Sequence, residues 1–349
     1  MIRVAIIILV YNGRKYLPAL LASLKKQQVY NYQVKVIAVD NASTDKSGDF
    51  ITKNYPEMKV IINAENYGFA KGNNIGMNWA LANNFDYLAL LNQDIRVSED
   101  WLGPLIKALE AQPKLGAVQP KIMYWPDQDK INSLGNILHY LGFGFTSYNG
   151  LKESTIKKYP EYINYASGAA VVYRSSVLRE IGLFDEAYFM YHEDTDLSLR
   201  IKFWGYQIKL IPKAKVFHQY EFSRSLKKFY YIERNRLILL LKFYKLPTLL
   251  FILPVLIFLE VGLIIQSLFN GFFIYRLKVY GYFVNPLNII KIIKKRRKIQ
   301  KERLINDLTL IKELTGKIEF QEIDNFFLKY IFNPILNFYK FIIERIIFW

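Results

Sequence analysis

The chain predicts an α/β fold built on a mostly parallel sheet with helices on both faces, and three observations carry that prediction. Short apolar runs alternate with amphipathic helical patterns through the first 240 residues, the order that builds a sheet covered by helices. The first run, residues 4–10, is apolar without interruption, as a strand buried on both faces requires. Asn, Asp and Gly cluster just after four successive runs, where the ligands of such sheets bind.

Taken in order, residues 4–10 predict a strand, so no signal peptide is expected ahead of the fold. Leu17, Leu20, Leu21 and Leu24 recur at helical spacing and predict an amphipathic helix. Residues 34–39, 60–62 and 87–91 predict further strands, separated by helices around 47–54 and 71–83. Ser98 is placed to cap the next helix, with Glu99 and Asp100 in its first turn and Leu102, Leu105, Ile106 and Leu109 on its inner face. Residues 197–204 predict a helix stopped by Gly205.

The 349 residues include no cysteine, which excludes disulfide scaffolds, thiolate metal sites and cysteine nucleophiles. The net charge of +17 is not spread evenly. Residues 1–212 are nearly neutral, whereas residues 213–303 hold 19 basic side chains against Glu221, Glu233, Glu260 and Glu302. Inside that basic stretch, residues 247–275 carry Glu260 as their one charge. As a straight helix they would run about 43 Å at 1.5 Å per residue, longer than the roughly 30 Å hydrocarbon core of a bilayer.

Both flanks of this segment are basic, against the positive-inside tendency of a single span. Pro254 and the Glu260–Gly262 region offer places to bend, so a re-entrant hairpin or two interfacial helices are expected, ahead of one span. A basic helix over 286–303 presents Lys294, Lys295, Arg296, Arg297, Lys298, Lys301 and Arg303, suited to anionic lipid headgroups; a solvated helix face is the competing reading. In 325–349, Lys329, Asn333, Asn337, Lys340 and Glu344 form one polar stripe on an otherwise apolar helix, which lies in a membrane plane or packs on the rest of the chain. Composition thus divides the chain into an α/β part, 1–240, and a basic, apolar helical tail expected to associate with a membrane, 241–349. Charge bracketing an apolar stretch favours anionic lipid over nucleic acid as the partner.

The strand-end residues are specific. The first strand leads into Tyr11-Asn12-Gly13, the second into Asp40-Asn41-Ala42-Ser43-Thr44-Asp45, the third into a loop containing Gly68, Lys71, Asn73 and Asn74, and the fourth into Asn92-Gln93-Asp94. None of these forms a Walker loop or a GxGxxG fingerprint. Together with SGAAVVYRSSVLREIGLFDEAYFMYHEDTDLSLRIKFWGY, they make residues 3–240 resemble the family-2 glycosyltransferases of the GT-A fold. The bacterial rhamnosyltransferase-like members that build cell-surface polysaccharides are the most similar.

The resemblance implies an inverting transferase that uses a UDP- or dTDP-sugar donor and a hydroxyl of a lipid-linked glycan as acceptor, on the cytoplasmic face of the membrane. It implies that Asp40 accepts a hydrogen bond from pyrimidine N3–H, which suits an acceptor-only carboxylate. Tyr11, Asn12, Gly68, Lys71, Asn73, Asn74, Asn92 and Gln93 would line the nucleotide-sugar pocket; a solvated Lys71 is the alternative. Asn92-Gln93-Asp94 stands where the family carries DXD, with Asn92 a departure. Asp94, with His218, is then the expected ligand pair for Mg²⁺ or Mn²⁺. Asp194 is the implied general base, with Glu193, Asp196 and Gly168 orienting acceptor and backbone. Arg224 and the Glu233-Arg234-Asn235-Arg236 cluster would contact phosphates or face the membrane. A silent glycan-binding scaffold of the same fold is the rival reading.

Overall fold

A computed structural model describes residues 1–27, 32–220, 226–319 and 326–349; Arg224 and Asn325 lie outside the described residues. The chain opens with β1 (Ile2–Val10), α1 (Leu17–Lys25), β2 (Tyr32–Asp40), α2 (Ser47–Asn54), β3 (Lys59–Ile62), α3 (Gly68–Ala82), β4 (Tyr87–Asn92), β5 (Ile95–Val97) and α4 (Gly103–Ala111). Then come β6 (Leu115–Tyr124), β7 (Ile131–Ser133), β8 (Asn136–Leu138), β9 (Gly144–Thr146), β10 (Ala170–Arg174), α5 (Ser175–Ile181), α6 (Glu193–Phe203) and β11 (Gln207–His218). The sheet order is β3-β2-β1-β4-β10-β6-β11-β5, with β7 beside β6.

The parallel arrangement holds for β3, β2, β1 and β4. Beyond β4 the sheet is mixed: β10 runs antiparallel to both β4 and β6, and β5 antiparallel to β11. Side chains of β1 alternate between two cores, which explains its uninterrupted apolar run. Val4, Ile6 and Ile8 pack with Leu17, Leu20, Leu21 and Leu24 of α1, while Ala5 and Ile7 pack with Met77 and Ala80 of α3.

The helix expected to be capped by Ser98 begins later, at Gly103, with Pro104 in its first turn. The Ser98 hydroxyl instead donates to the Lys215 carbonyl at 2.8 Å. Glu99 and Asp100 therefore stand in a turn before the helix.

The C-terminal elements are α7 (Leu226–Phe243), α8 (Leu246–Phe269), α9 (Phe273–Val284), α10 (Pro286–Glu302), α11 (Asp307–Glu313), a π-helical turn at Leu328–Phe332 and α12 (Asn333–Ile346). Residue 240, where composition changes, falls inside α7. A third core joins Leu199 and Phe203 of α6 to α7, α8, α10, α11 and α12, so the tail packs directly on the helix that carries the candidate base.

The bends expected in 247–275 are placed differently. Pro254 is accommodated inside one 24-residue helix, and the chain turns at Gly271, whose φ is +73°. Helix α8 buries a narrow stripe, Thr248, Ile252, Val255 and Leu259, plus Ser267. Leu249, Leu256 and Leu263 are partly buried beside that stripe, and Leu250, Ile257, Val261, Ile265 and Phe269 are exposed. It is the one described helix long and apolar enough to cross a membrane. Glu260 is held within the protein: its carboxylate pairs with Arg236 of α7 and accepts from Tyr280 Oη of α9 at 2.7 Å.

Candidate active site

The carboxyl ends of β1, β2 and β4 are laced together by their own loops. Gln93 clamps the Tyr11 backbone from both sides: Tyr11 N–H donates to Oε1 at 2.9 Å and Nε2 donates to Tyr11 O at 3.1 Å. Asn12, at φ +48°, donates its N–H to Ser43 Oγ at 3.0 Å and accepts from Thr44 N–H at 2.8 Å. The Tyr11 side chain remains exposed at this rim. Asp40 is buried at the end of β2, where its Oδ1 accepts the Ser43 N–H at 2.8 Å. Its other oxygen lies against the first turn of α2, so close that a Cβ on Gly48 would stand 2.3 Å away.

Sequence reasoning missed the hub of this region, Asn41. It is 2% exposed. Its Nδ2 donates to Asn66 Oδ1 at 2.9 Å and to Gly68 O at 3.1 Å, and its Oδ1 accepts from Asn63 Nδ2 and Tyr67 N–H. One amide thus ties the end of β2 to the loop leading into α3. The available signal was its place in Asp-Asn-Ala-Ser, which equally describes an ordinary turn.

Helix α3 starts at Gly68, where φ is +77° and a Cβ would come within 2.5 Å of the Phe189 ring. Its first free N–H groups are met from far along the chain: Phe69 and Ala70 N–H donate to Phe189 O at 2.6 and 3.1 Å. Lys71 rests its ammonium 3.6 Å from the Tyr67 ring centre, a cation–π contact at the rim. Asn73 and Asn74, expected in the pocket, turn into the protein. Asn73 Nδ2 bonds Phe69 O, while Asn74 holds the segment at Phe184 through N–H and C=O contacts of 3.1 and 2.9 Å.

Asp94 and His218, distant in sequence, are brought together by the antiparallel pairing of β5 with the end of β11. His218 Nε2 lies 3.2 Å from Asp94 Oδ1. The other ring nitrogen is 3.1 Å from Asn132 Oδ1, so an Nδ1–H donated there leaves the Nε2 lone pair facing a carboxylate oxygen. Asp94 Oδ1 is itself buried without a hydrogen-bond donor. A divalent cation would satisfy both, with Asp94 Oδ1 and His218 Nε2 as the atoms that would hold it. Among the described residues no group of three or more His, Asp or Glu side chains is set to hold a metal. Asn92 ends β4 with its N–H bonded to Ala169 O at 2.9 Å.

The adjacent Gly168 N–H donates to Asp194 Oδ2 at 3.1 Å, and Thr195 N–H donates to Asp194 Oδ1 at 2.7 Å. Gly168-Ala169 is therefore the bridge between the Asn92-Gln93-Asp94 turn and the Asp194 carboxylate. Helix α6 begins at Glu193, so the acidic residues form its first turn. Burial raises the Asp194 carboxyl above its ordinary value, with the two backbone donors opposing. Burial, then the neighbouring Asp194, raises Glu193 well above the carboxylate range, and its Oε2 has no hydrogen-bond partner. The two amides favour the anion on Asp194, leaving Glu193 as the protonated member. Burial and then Arg236 depress His192 to about 4, so its imidazole is neutral.

Asp196 does not reach acceptor space. It is fully buried, accepting from Tyr188 Oη at 3.1 Å and Arg200 Nε at 2.8 Å, and pairing with Lys242 of α7. Its role is to fasten α6 to α7.

The Glu233-Arg234-Asn235-Arg236 cluster is neither phosphate-facing nor membrane-facing; all four residues are at most 7% exposed. Arg234 Nη2 donates to the carbonyls of Ala187 and Tyr188, and Asn235 Nδ2 to those of Tyr188, Met190 and Tyr191. The loop they grip holds Phe189, Tyr191 and His192 at φ values of +63°, +65° and +66°, a conformation costing roughly 1–2 kcal/mol per non-glycine residue. On the other flank, Glu233 pairs with Arg236 at 3.1 Å and with Arg276 of α9 at 2.5 Å.

Comparison with known proteins identifies the family. Over 232 residues the chain is 26% identical to the N-acetylglucosaminyl-diphospho-decaprenol L-rhamnosyltransferase of Mycobacterium tuberculosis, covering 61% of this chain and 75% of that one. It is 26% identical over 225 residues to the rhamnosyltransferase WbbL of Escherichia coli K12, covering 62% and 83%. The solved structure of GalNAc-T7 with UDP, GalNAc and Mn²⁺ superposes with a TM-score of 0.57 at 16% identity, over 70% of this chain and 49% of that longer one, a likeness of fold. The pattern that defines Glycosyl transferase family 2 matches residues 5–182. Those residues span β1 to α5 and hold the loops that follow β1, β2, β3 and β4, so the chain belongs to that glycosyltransferase family, as a rhamnosyltransferase-like member with the GT-A fold.

Proposed function

We propose that the protein transfers a sugar, with inversion, from a UDP- or dTDP-linked donor to a hydroxyl of a lipid-linked glycan during cell-surface polysaccharide synthesis. The observation that carries this reading is the bridge at Gly168-Ala169, which sets the Asp194 carboxylate on one side and the Asn92-Gln93-Asp94 turn on the other. Asp194 takes the proton of the acceptor hydroxyl as that oxygen bonds to the sugar C1. The C1–O bond to the diphosphate breaks, and the nucleoside diphosphate leaves with the electron pair. A divalent cation, when bound, would neutralise charge on the leaving diphosphate, and Asp94 with His218 are the residues fitted to hold it. A base with a raised pKa works closer to neutral pH, where proton abstraction has more driving force.

Rhamnosyltransferase names among the relatives favour a deoxyhexose donor, and the mycobacterial relative's name, with its diphospho-decaprenol acceptor, favours a lipid-linked one. The exposed apolar side chains of α8 and α12, with the exposed Lys291, Lys294, Lys298 and Lys301 on one face of α10, support attachment to the cytoplasmic leaflet with these helices lying in the interface. Nucleoside diphosphate release from a panel of UDP- and dTDP-sugars, with Mn²⁺ and a polyprenyl-diphosphate-linked GlcNAc acceptor, tests the reading. Acceptor-dependent release from one donor is the expected result. Release from no donor would leave a silent scaffold of the same fold.

A further inference from the structure

We propose that Asn235, with Arg234, is the positioning residue that holds loop 187–192 in the conformation presenting Asp194 to the acceptor. The proposal rests on Asp194 as the base. Three carbonyls, those of Tyr188, Met190 and Tyr191, converge on the Asn235 amide at 3.0, 2.9 and 2.7 Å. Arg234 adds bonds of 2.7 and 3.0 Å to Ala187 O and Tyr188 O. The two side chains act as one unit, since Asn235 Oδ1 accepts from Arg234 Nε and Nη2 at 2.9 and 2.7 Å.

What they hold is a backbone that does not hold itself. Three non-glycine residues in four positions take left-handed φ, and such strain persists where the surroundings over-determine it. The strained loop serves two helices. Phe189 O caps the start of α3 beside the donor-side loops, and His192 O accepts the Asp196 N–H at 2.8 Å in the first turn of α6. Releasing the loop therefore moves the first turn of α6, where Asp194 meets the amides of Gly168 and Thr195.

Asn235 is fully buried, so it touches no substrate and acts through the loop. Its neighbours Glu233 and Arg236 are bound to Arg276 and Glu260, which fixes α7 against α8 and α9. The clamp is thereby anchored on the helices expected at the membrane.

The test compares full-length Asn235→Ala, Asn235→Ser and Arg234→Gln with the wild type by nucleoside diphosphate release, pH–rate profile and thermal melting. Misplacing a catalytic group by about 1 Å costs about 10²-fold, so Asn235→Ala is expected to lower kcat by about that factor. Its acidic limb should move to higher pH, because Asp194 loses backbone donors. Asn235→Ser, which keeps one donor, should recover part of the rate. A kcat within twofold of wild type in a folded variant overturns the proposal. So does a loss that tracks only the folded fraction with an unmoved acidic limb. If Asn235→Ala does not fold, Arg234→Gln must show the same limb movement, and an unmoved limb there is equally fatal. A fully active Asp194→Asn protein would instead defeat the base assignment on which the proposal stands.

Discussion

Replacing Asp194 with Asn separates the chemistry of the site from its architecture. The side chain keeps its shape, so the contact with one of its two amides survives, while the other N–H, from Gly168 or Thr195, meets an NH₂ group. Losing a bond to a charged acceptor costs about 1.5–3 kcal/mol. Against that, the variant removes a carboxylate whose ionised form is disfavoured by burial. The raised pKa means the native state binds the proton more tightly than the unfolded chain does. Ionisation above the unfolded value thus detracts from stability as pH rises, and Asn lacks that penalty. The two effects oppose, and the melting temperature should stay within a few degrees. Catalysis has no such compensation. Without a base the rate should fall about 10²–10⁴-fold, which is about 3–5 kcal/mol of transition-state stabilisation. The assay is acceptor-dependent nucleoside diphosphate release at saturating donor, with a pH profile of the wild type. Wild-type activity should fall on acidification through a limb above the ordinary Asp value of about 3.9. A folded Asp194→Asn protein retaining more than a tenth of wild-type rate would refute the assignment.

Chelation should abolish transfer and Mn²⁺ or Mg²⁺ should restore it, with His218→Ala raising the metal concentration for half-maximal rate at least tenfold; activity indifferent to chelator would remove the metal from the mechanism. Glu260→Leu strips a carboxylate from Arg236, which is fully buried. Glu233 remains as its other partner, so the cost falls below the about 3–5 kcal/mol of an uncompensated buried charge; calorimetry should show a melting temperature lower by a few degrees, and an unchanged one would mean the network contributes nothing. Neutralising Lys291, Lys294, Lys298 and Lys301 to Gln should weaken binding to phosphatidylserine vesicles by about 10²–10³-fold in sedimentation, at about 1 kcal/mol per charge. Equal binding would show that α10 does not face the lipid.

Local patterns were legible and distant pairings were not. Residues 47–54 predict a helix and α2 occupies Ser47–Asn54, because one apolar face and one boundary decide it. The helix expected after Ser98 fails for a reason no window can show: the hydroxyl bonds Lys215 O, 117 residues away. The same holds in the site. Asp94 and His218 are recognisable separately, yet their 3.2 Å contact depends on β5 pairing with β11. Asn41, Asn74 and Asn235 are ordinary polar residues in the sequence. Their importance comes from carbonyls and amides delivered by other parts of the chain.

The basic stretch shows the same limit in its charges. By sequence, all seven cations between Lys294 and Arg303 are equally available to lipid. In the fold, Lys295 pairs with Asp185, Arg296 donates to Leu241 O and Tyr244 O, and Arg303 pairs with Asp307. Upstream, Arg234, Arg236, Lys242 and Arg276 are buried among carbonyls and carboxylates. Much of the excess charge therefore assembles the helical tail onto α6 and α7, and the exposed lysines of α10, with Arg297 beside them, are left facing outward for headgroups. Lipid attraction then adds a few kcal/mol to the exposed apolar area of α8 and α12 instead of dominating it. Rising salt should weaken attachment without releasing the protein. Arg234, the cation that grips the loop ahead of Asp194 through the carbonyls of Ala187 and Tyr188, is buried and out of a headgroup's reach.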